Sequence, residues 1–223
     1  MKFINIIKMA EYNLLNTIKK TTRNISERKN LKTKKIIDIS RKYGRLYFDG
    51  DRKYGYGGYY YDGRWKKVAK NIVKKYNLKK GDKVLDIGCA KGFLVKDLID
   101  IGIDAYGIDI SQYAINNSLP ETYGRITLCS ADDIFFPDNS FDFVLSINTI
   151  HNLNKSKCIK AIKEINRLSK KNSFIQVDAY KTEKQKKIFE NWVITAKYHD
   201  YTKNWIKLFK SCNYKGDWYW TII

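Results

Sequence analysis

A chain of 223 residues, 43% hydrophobic and 14% aromatic, can bury a proper core, which excludes disorder throughout and any need for disulfide staples. Its 43 Lys and Arg against 23 Asp and Glu give a net charge of +20, which admits nucleic-acid binding as one reading. The competing reading is compositional drift, because Lys, Ile, Asn and Tyr abound while Pro and Met occur only twice each.

The charge is uneven along the chain. Residues 1–42 carry 12 basic residues and three acids, +9 in all, which leaves +11 on residues 43–223. This first segment lacks Gly and Pro, and apolar groups such as Ile36-Ile37 and Ile39 predict one or two amphipathic helices partly packed on the remainder of the chain. Its basic side is either a solvated face or a nucleic-acid arm. The opening residues Met1–Lys8 hold a five-residue, Asn-interrupted apolar stretch, short of the roughly 7–15 residues of a secretory signal. No apolar run approaches the roughly 20 residues that span a bilayer, so a cytoplasmic protein is expected. Cysteines at 89, 129, 158 and 212 form no CxxC pair and only two histidines accompany them, so free buried thiols and no metal centre are expected.

Residues 43–65 change character. Seven of the 17 tyrosines and five of the 13 glycines fall within residues 43–61. Gly permits close backbone approach and Tyr gives a flat face with a polar tip. The combination suits a loop folded over a ligand, with Tyr54, Tyr56 and Tyr59 as its closing side chains, and equally a low-complexity connector. The same tyrosines could also simply pack on the next helix. That helix is predicted over Lys66–Tyr76, where Val68, Ile72, Val73 and Tyr76 recur at helical spacing.

Strand and helix patterns then alternate, the mark of a parallel sheet covered on both faces. Strands are predicted at Lys83–Ile87, Ala105–Ile110, Ile126–Cys129, Phe141–Ile147, Ser173–Val177 and Asp217–Ile222. Helices are predicted at Gly92–Ile99, Gln112–Asn117, Ser156–Leu168, 183–197 and 202–212. The expected architecture is α/β, a Rossmann-like doubly wound, mostly parallel sheet over residues 66–223 with an N-terminal helical extension.

The first strand runs into Asp86-Ile87-Gly88-Cys89-Ala90-Lys91-Gly92, a Gly-containing turn that opens a helix. Sheets of this kind bind ligands at that edge. The turn lacks the second Gly of the G-x-G-x-x-G pattern and has no G-K-[ST], which excludes a phosphate-binding P-loop. The second strand ends in Asp109, 21 residues after Gly88, the spacing of an acid that holds ribose hydroxyls. Ile110 beside it can pack on an adenine face. Taken alone, Asp109 could instead cap the next helix. Strand, Gly turn, helix, strand and acid together favour the ligand.

On these residues, and on Asp133-Ile134-Phe135-Phe136-Pro137-Asp138-Asn139-Ser140-Phe141-Asp142 and Val144–His151, the chain resembles the class I S-adenosylmethionine-dependent methyltransferases, especially the small-molecule "type 11" kind. The resemblance covers residues 66–180 well. It implies S-adenosylmethionine as cofactor and S-adenosylhomocysteine as product. Asp86, Gly88, Cys89, Ala90 and Gly92 would border the methionine portion, Asp109 the ribose, and Ile110, Ala131 and Asp132 the adenine. Asn148 would stand near the sulfonium. Two departures are visible: Ala90 replaces the usual middle Gly, and Ser130 stands where the family often has an Asp, with Asp132 as its substitute. The Tyr54–Tyr59 and Gly216–Thr221 stretches loosely resemble enzymes of surface-polysaccharide gene clusters, which suggests a sugar or polysaccharide-precursor acceptor.

Methyl transfer is an in-line displacement helped by positioning and exclusion of water. An oxygen or protonated amine acceptor also needs a base, for which His151 and Asp178 are candidates; His151 could instead serve as a helix-start residue bonded to backbone. Two other functions compete. An RNA or DNA methyltransferase fits the charge, but no [DNS]-P-P-[YFW], no Pro-Cys nucleophile and no Lys-Asp-Lys-Glu tetrad is present. A catalytically dead binding protein would have no use for Asp109.

Overall fold

In the computed structural model, which describes residues 9–19 and 22–223, the two hydrophobic periods become a parallel sheet with helices on both faces. The Met1–Lys8 stretch lies outside the described residues. Helices α1 (Ile25–Leu31) and α2 (Lys34–Ser40) begin at side-chain caps: Asn24 accepts from the Glu27 N–H and Thr33 from the Ile36 N–H. A short helix α3 (Arg45–Asp49) precedes α4 (Trp65–Tyr76), which stops where Asn77 turns left-handed at φ 49°. Next come β1 (Lys83–Ile87), α5 (Phe93–Ile99), β2 (Asp104–Asp109), α6 (Gln112–Asn116), β3 (Ile126–Leu128) and β4 (Phe141–Ile147). The chain ends with α7 (Lys155–Leu168), β5 (Ser169–Tyr180), α8 (Glu183–Trp192), β6 (Asp200–Tyr201), α9 (Thr202–Ser211) and β7 (Asp217–Thr221).

The strand order is β3-β2-β1-β4-β5-β6, with β7 also paired to β5, and every pairing is parallel. The order reverses between β1 and β4, which opens a crevice at their carboxyl ends. Alternate side chains feed two cores. Leu85, Ile87, Val144, Ile175 and Val177 meet α7 and α9 through Ile162, Ile165, Trp205 and Phe209. Val84, Phe143, Leu145 and Phe174 meet α4 and α5 through Val68, Ile72, Leu94 and Leu98. Burial on both sides is why these strands read as continuous apolar runs.

Helix α3 falls in the stretch expected to be a loop, and further elements differ from the sequence expectation. Strand β5 starts at Ser169 rather than Ser173, because backbone pairing with β4 carries the polar Lys170-Lys171-Asn172 into the sheet. Helix α8 stops at Trp192 rather than 197, where the β-branched Val193-Ile194-Thr195 run begins. At the far edge, β7 lies parallel on Phe174–Asp178 and the two-residue β6 continues along Ala179-Tyr180.

The N-terminal extension is also more than helix. Glu11 bridges to Trp218, the Tyr12 N–H donates to Trp218 O at 2.8 Å, and the Trp218 N–H donates to Ala10 O at 3.0 Å. This short extended segment covers the open edge of β7. Side-chain periodicity carries no trace of such main-chain pairing. The four cysteines are free thiols, and among the described residues no helix is long and apolar enough to cross a membrane.

Candidate active site

The turn after β1 is built from three left-handed residues, Gly88 (φ 86°), Ala90 (φ 51°) and Gly92 (φ 75°). The N–H groups of Gly88 and Cys89 both donate to Ile108 O, at 2.7 and 3.0 Å, and tie the turn to β2. At Gly88 a Cβ would stand 2.0 Å from Thr149 Oγ1, so the residue must be glycine for the β4 loop to close against it. At the end of β2, Asp109 accepts the Ala90 N–H through Oδ2 and the Ser111 N–H through Oδ1, each at 2.8 Å. Burial pushes its carboxyl above the ordinary range, and these two N–H groups oppose the shift.

Asp86 is buried at the end of β1 without a hydrogen-bonding partner among the described residues. Burial, and then the charge of Asp109, push its carboxyl up to about 7. A lone buried acid of this kind is suited to a cationic group of a ligand, which would restore its charge.

These elements border a cleft of about 420 Å³. Gly88, Ala90, Asp109, Ile110, Ala131, Asn148 and Tyr56 are on its wall. Asp86, Cys89, Gly92, Asp132, His151, Asp178, Tyr54 and Tyr59 are not. Cys89 packs behind the turn, where its Sγ would stand 2.6 Å from a Cβ on Gly107. Gly92 caps α5. Asp132 is occupied by Ser130 Oγ and by Lys157 at 3.2 Å, while Ser130 itself is on the wall. Ile110 is 58% exposed, an uncovered apolar face beside the Asp109 carboxylate.

The Tyr- and Gly-rich segment folds back over the turn. Tyr43, Tyr47 and Phe48 are wall residues that the sequence did not single out, although they belong to the same aromatic stretch. Tyr47 packs edge-on against Tyr43 (5.2 Å) and Phe48 (5.1 Å), and Phe48 stacks on Tyr56 at 5.7 Å. Tyr59 stacks instead on Phe93, at 4.7 Å, at the start of α5. Phe48 buries itself against Ala90 and Ala114, and Lys91 Nζ reaches Asp49 Oδ2 at 2.6 Å. Apolar contact and an ion pair together hold α3 on the turn.

Past β4, Asn148 is left-handed (φ 54°) and its Oδ1 accepts from Thr221 Oγ1 of β7 at 2.7 Å. His151 is 3% exposed. Its Nδ1 accepts the Asp178 N–H at 3.1 Å, which leaves the ring proton of the neutral form on Nε2, 3.2 Å from Asp178 Oδ2. Burial lowers its pKa and the Asp178 charge opposes this. The two residues form one unit, of which Asp178 is the more open, with 15% of its side chain exposed.

Residues 85–177 match the family described as a methyltransferase domain. Phosphoethanolamine N-methyltransferase 1 of Arabidopsis thaliana is 35% identical over 91 residues, 37% of this chain and 18% of that protein. The alignment thus spans under a fifth of that relative. The YcgJ protein of Bacillus subtilis superposes with a TM-score of 0.54 at 17% identity, covering 65% of this chain and 66% of that one. A SAM-dependent methyltransferase from Archaeoglobus fulgidus gives 0.52 at 19%, covering 66% and 68%. At these identities the structural likeness is one of fold.

Proposed function

From the premise that the chain carries a class I S-adenosylmethionine-dependent methyltransferase domain, we propose that the protein transfers a methyl group to a small-molecule acceptor. The observation that carries the proposal is the Asp109 carboxylate, fixed by the Ala90 N–H on the wall of the cleft. Each Asp109 oxygen has accepted one hydrogen bond and retains a lone pair, which suits two vicinal hydroxyls of a ribose. The unpartnered Asp86, two residues before Gly88 of the wall though not itself on it, suits an ammonium of the methionine portion that reaches past Gly88, and exposed Ile110 with small Ala131 suits a flat base. This donor set fits S-adenosylmethionine, which supplies an electrophilic methyl group when bound.

The chain's own contribution is positioning and enclosure. The turn around Gly88 and the β4 loop at Asn148 fix one wall, and the Tyr43, Tyr47 and Phe48 cluster covers the other and excludes water. For an acceptor that must lose a proton, the candidate base is Asp178 paired with the His151 Nε2–H, which stands behind the cleft wall and not on it, so the proton reaches it through an intervening group. A volume of about 420 Å³ is in the range of small-molecule pockets. A sugar or polysaccharide precursor is the narrower acceptor class we propose, on the likeness of Tyr54–Tyr59 and Gly216–Thr221.

Calorimetry with S-adenosylmethionine and S-adenosylhomocysteine tests the reading. Saturable binding that is lost in Asp109→Ala supports it. Absence of binding to a folded protein would sink it and leave a non-catalytic fold.

A further inference from the structure

We propose that the methyl acceptor carries an oxyanion, a phosphate or carboxylate, held by Arg41 and Lys197 at the β4–β5 end of the cleft. The inference rests on the methyltransferase reading above and narrows its substrate. Four cations, Arg41, Lys42, Lys157 and Lys197, line the cleft against one acid, Asp109. Asp109 is assigned to the ribose, and Lys157 is already paired with Asp132 at 3.2 Å. Arg41, Lys42 and Lys197 have no ion-pair partner among the described residues.

Their placement separates them from the cofactor side. A guanidinium N–H of Arg41 donates to Ala196 O at 3.3 Å, which sets the side chain beside Lys197. The Lys197 main-chain N–H in turn donates to His151 O at 3.0 Å. The Arg41 guanidinium and the Lys197 main chain are therefore tied to the loops after β4 and α8, whereas the residues assigned to the cofactor, Asn148 apart, sit at the ends of β1, β2 and β3. The Arg41 guanidinium with the unpaired Lys42 and Lys197 in the same lining matches an oxyanion, which arginine binds through parallel N–H groups. Asn152 is a neutral amide in the same lining, suited to an O–H or N–H group. One ligand answers all of these: an oxyanion at one end, and at the other the hydroxyl or amine that receives the methyl.

The full chain, saturated with S-adenosylhomocysteine, would be titrated by calorimetry with inorganic phosphate and, separately, with acetate at constant ionic strength. Binding of either probe is expected, and its identity tells a phosphate ester from a carboxylate. Arg41→Gln and Lys197→Gln should each weaken it at least about tenfold, with S-adenosylhomocysteine affinity unchanged. Lys197→Gln retains its main-chain bond and guards against a folding artefact in Arg41→Gln. Lys170→Gln with Lys171→Gln, in the basic cleft around Arg167 and Lys215, should change nothing. The proposal is overturned if neither probe binds, if only the Lys170/Lys171 variant weakens binding, or if Arg41→Gln weakens S-adenosylhomocysteine instead. Failure of the wild-type protein to bind S-adenosylhomocysteine would instead overturn the underlying methyltransferase reading.

Discussion

The Ala90 N–H donates to Asp109 Oδ2 at 2.8 Å, so the turn after β1 and the acid ending β2 form a single unit. The same carboxylate therefore shapes the turn and presents acceptors to the cleft. Asp109→Ala is expected to lower S-adenosylhomocysteine affinity about 10- to 100-fold, the loss of charge-assisted hydrogen bonds of about 1.5–3 kcal/mol. Asp109→Asn should fall less, because one oxygen remains. Calorimetry checks both, with circular dichroism to confirm folding. Equal affinity in wild type and Asp109→Ala would remove the ribose assignment.

Asp86 makes the ligand-free protein pH-sensitive. Its folded value of about 7 lies above the ordinary value of 3.8, so the folded state holds a proton that the unfolded state has released. The stabilisation is fully present below about pH 4 and is lost as pH rises through about 7. It amounts at most to about 4 kcal/mol. Melting curves from pH 4 to 8 should show the decline, and Asp86→Asn should flatten it. A cationic ligand group favours the charged carboxylate, so S-adenosylmethionine binding at pH 6 should release a proton. Calorimetry in buffers of different ionisation enthalpy measures that release, and none would mean that Asp86 does not face the ammonium.

How much of this was legible depends on where each signal is written. The sheet was legible because burial on both faces leaves apolar runs, and the place of Gly88 and Asp109 on the cleft wall was legible because a turn and an acid have fixed spacing, whereas Asp86 stands off that wall. The positions of Arg41, Lys197 and Asn152 are set by tertiary contacts such as Arg41 to Ala196 O, and sequence spacing does not encode them. The aromatic cover was visible as composition, yet the Tyr-Gly alternation points to Tyr54, Tyr56 and Tyr59, whereas Tyr43 and Tyr47 join Tyr56 on the wall. Helix α3, within a Gly-rich stretch, carries Tyr47 and Phe48 to the wall. The cleft itself holds more cations than acids, a balance hidden in a sequence whose spaced motifs are the acids Asp86, Asp109 and Asp132.

Gly88 and Ala90 share a left-handed backbone but not a tolerance for change. Gly88→Ala adds a Cβ that meets Thr149 Oγ1, Cγ2 and Cβ at 2.0, 2.3 and 2.6 Å. Strain and collision together should cost about 2–5 kcal/mol. Ala90→Gly relieves strain of about 1–2 kcal/mol but gives up backbone stiffness and a buried methyl against Phe48, so it should be neutral within about 1 kcal/mol. Urea unfolding of the two variants measures the contrast. Equal losses would show that the turn, and not the Thr149 contact, sets the requirement.

Leu14 decides whether the basic N-terminal segment is an appendage or part of the domain. Its side chain is fully buried in the core formed with Val68, Ile72 and Leu94, two residues after the main-chain pairing of Tyr12 with Trp218. Leu14→Ala should therefore destabilise the protein by about 2–5 kcal/mol, the cost of a cavity in a packed core. Replacing the exposed Lys34 and Lys35 with Gln, which removes charge from the same segment, should leave stability within about 0.5 kcal/mol. Urea denaturation of both variants separates packing from charge. A near-neutral Leu14→Ala would return residues 9–19 to the status of a loose arm.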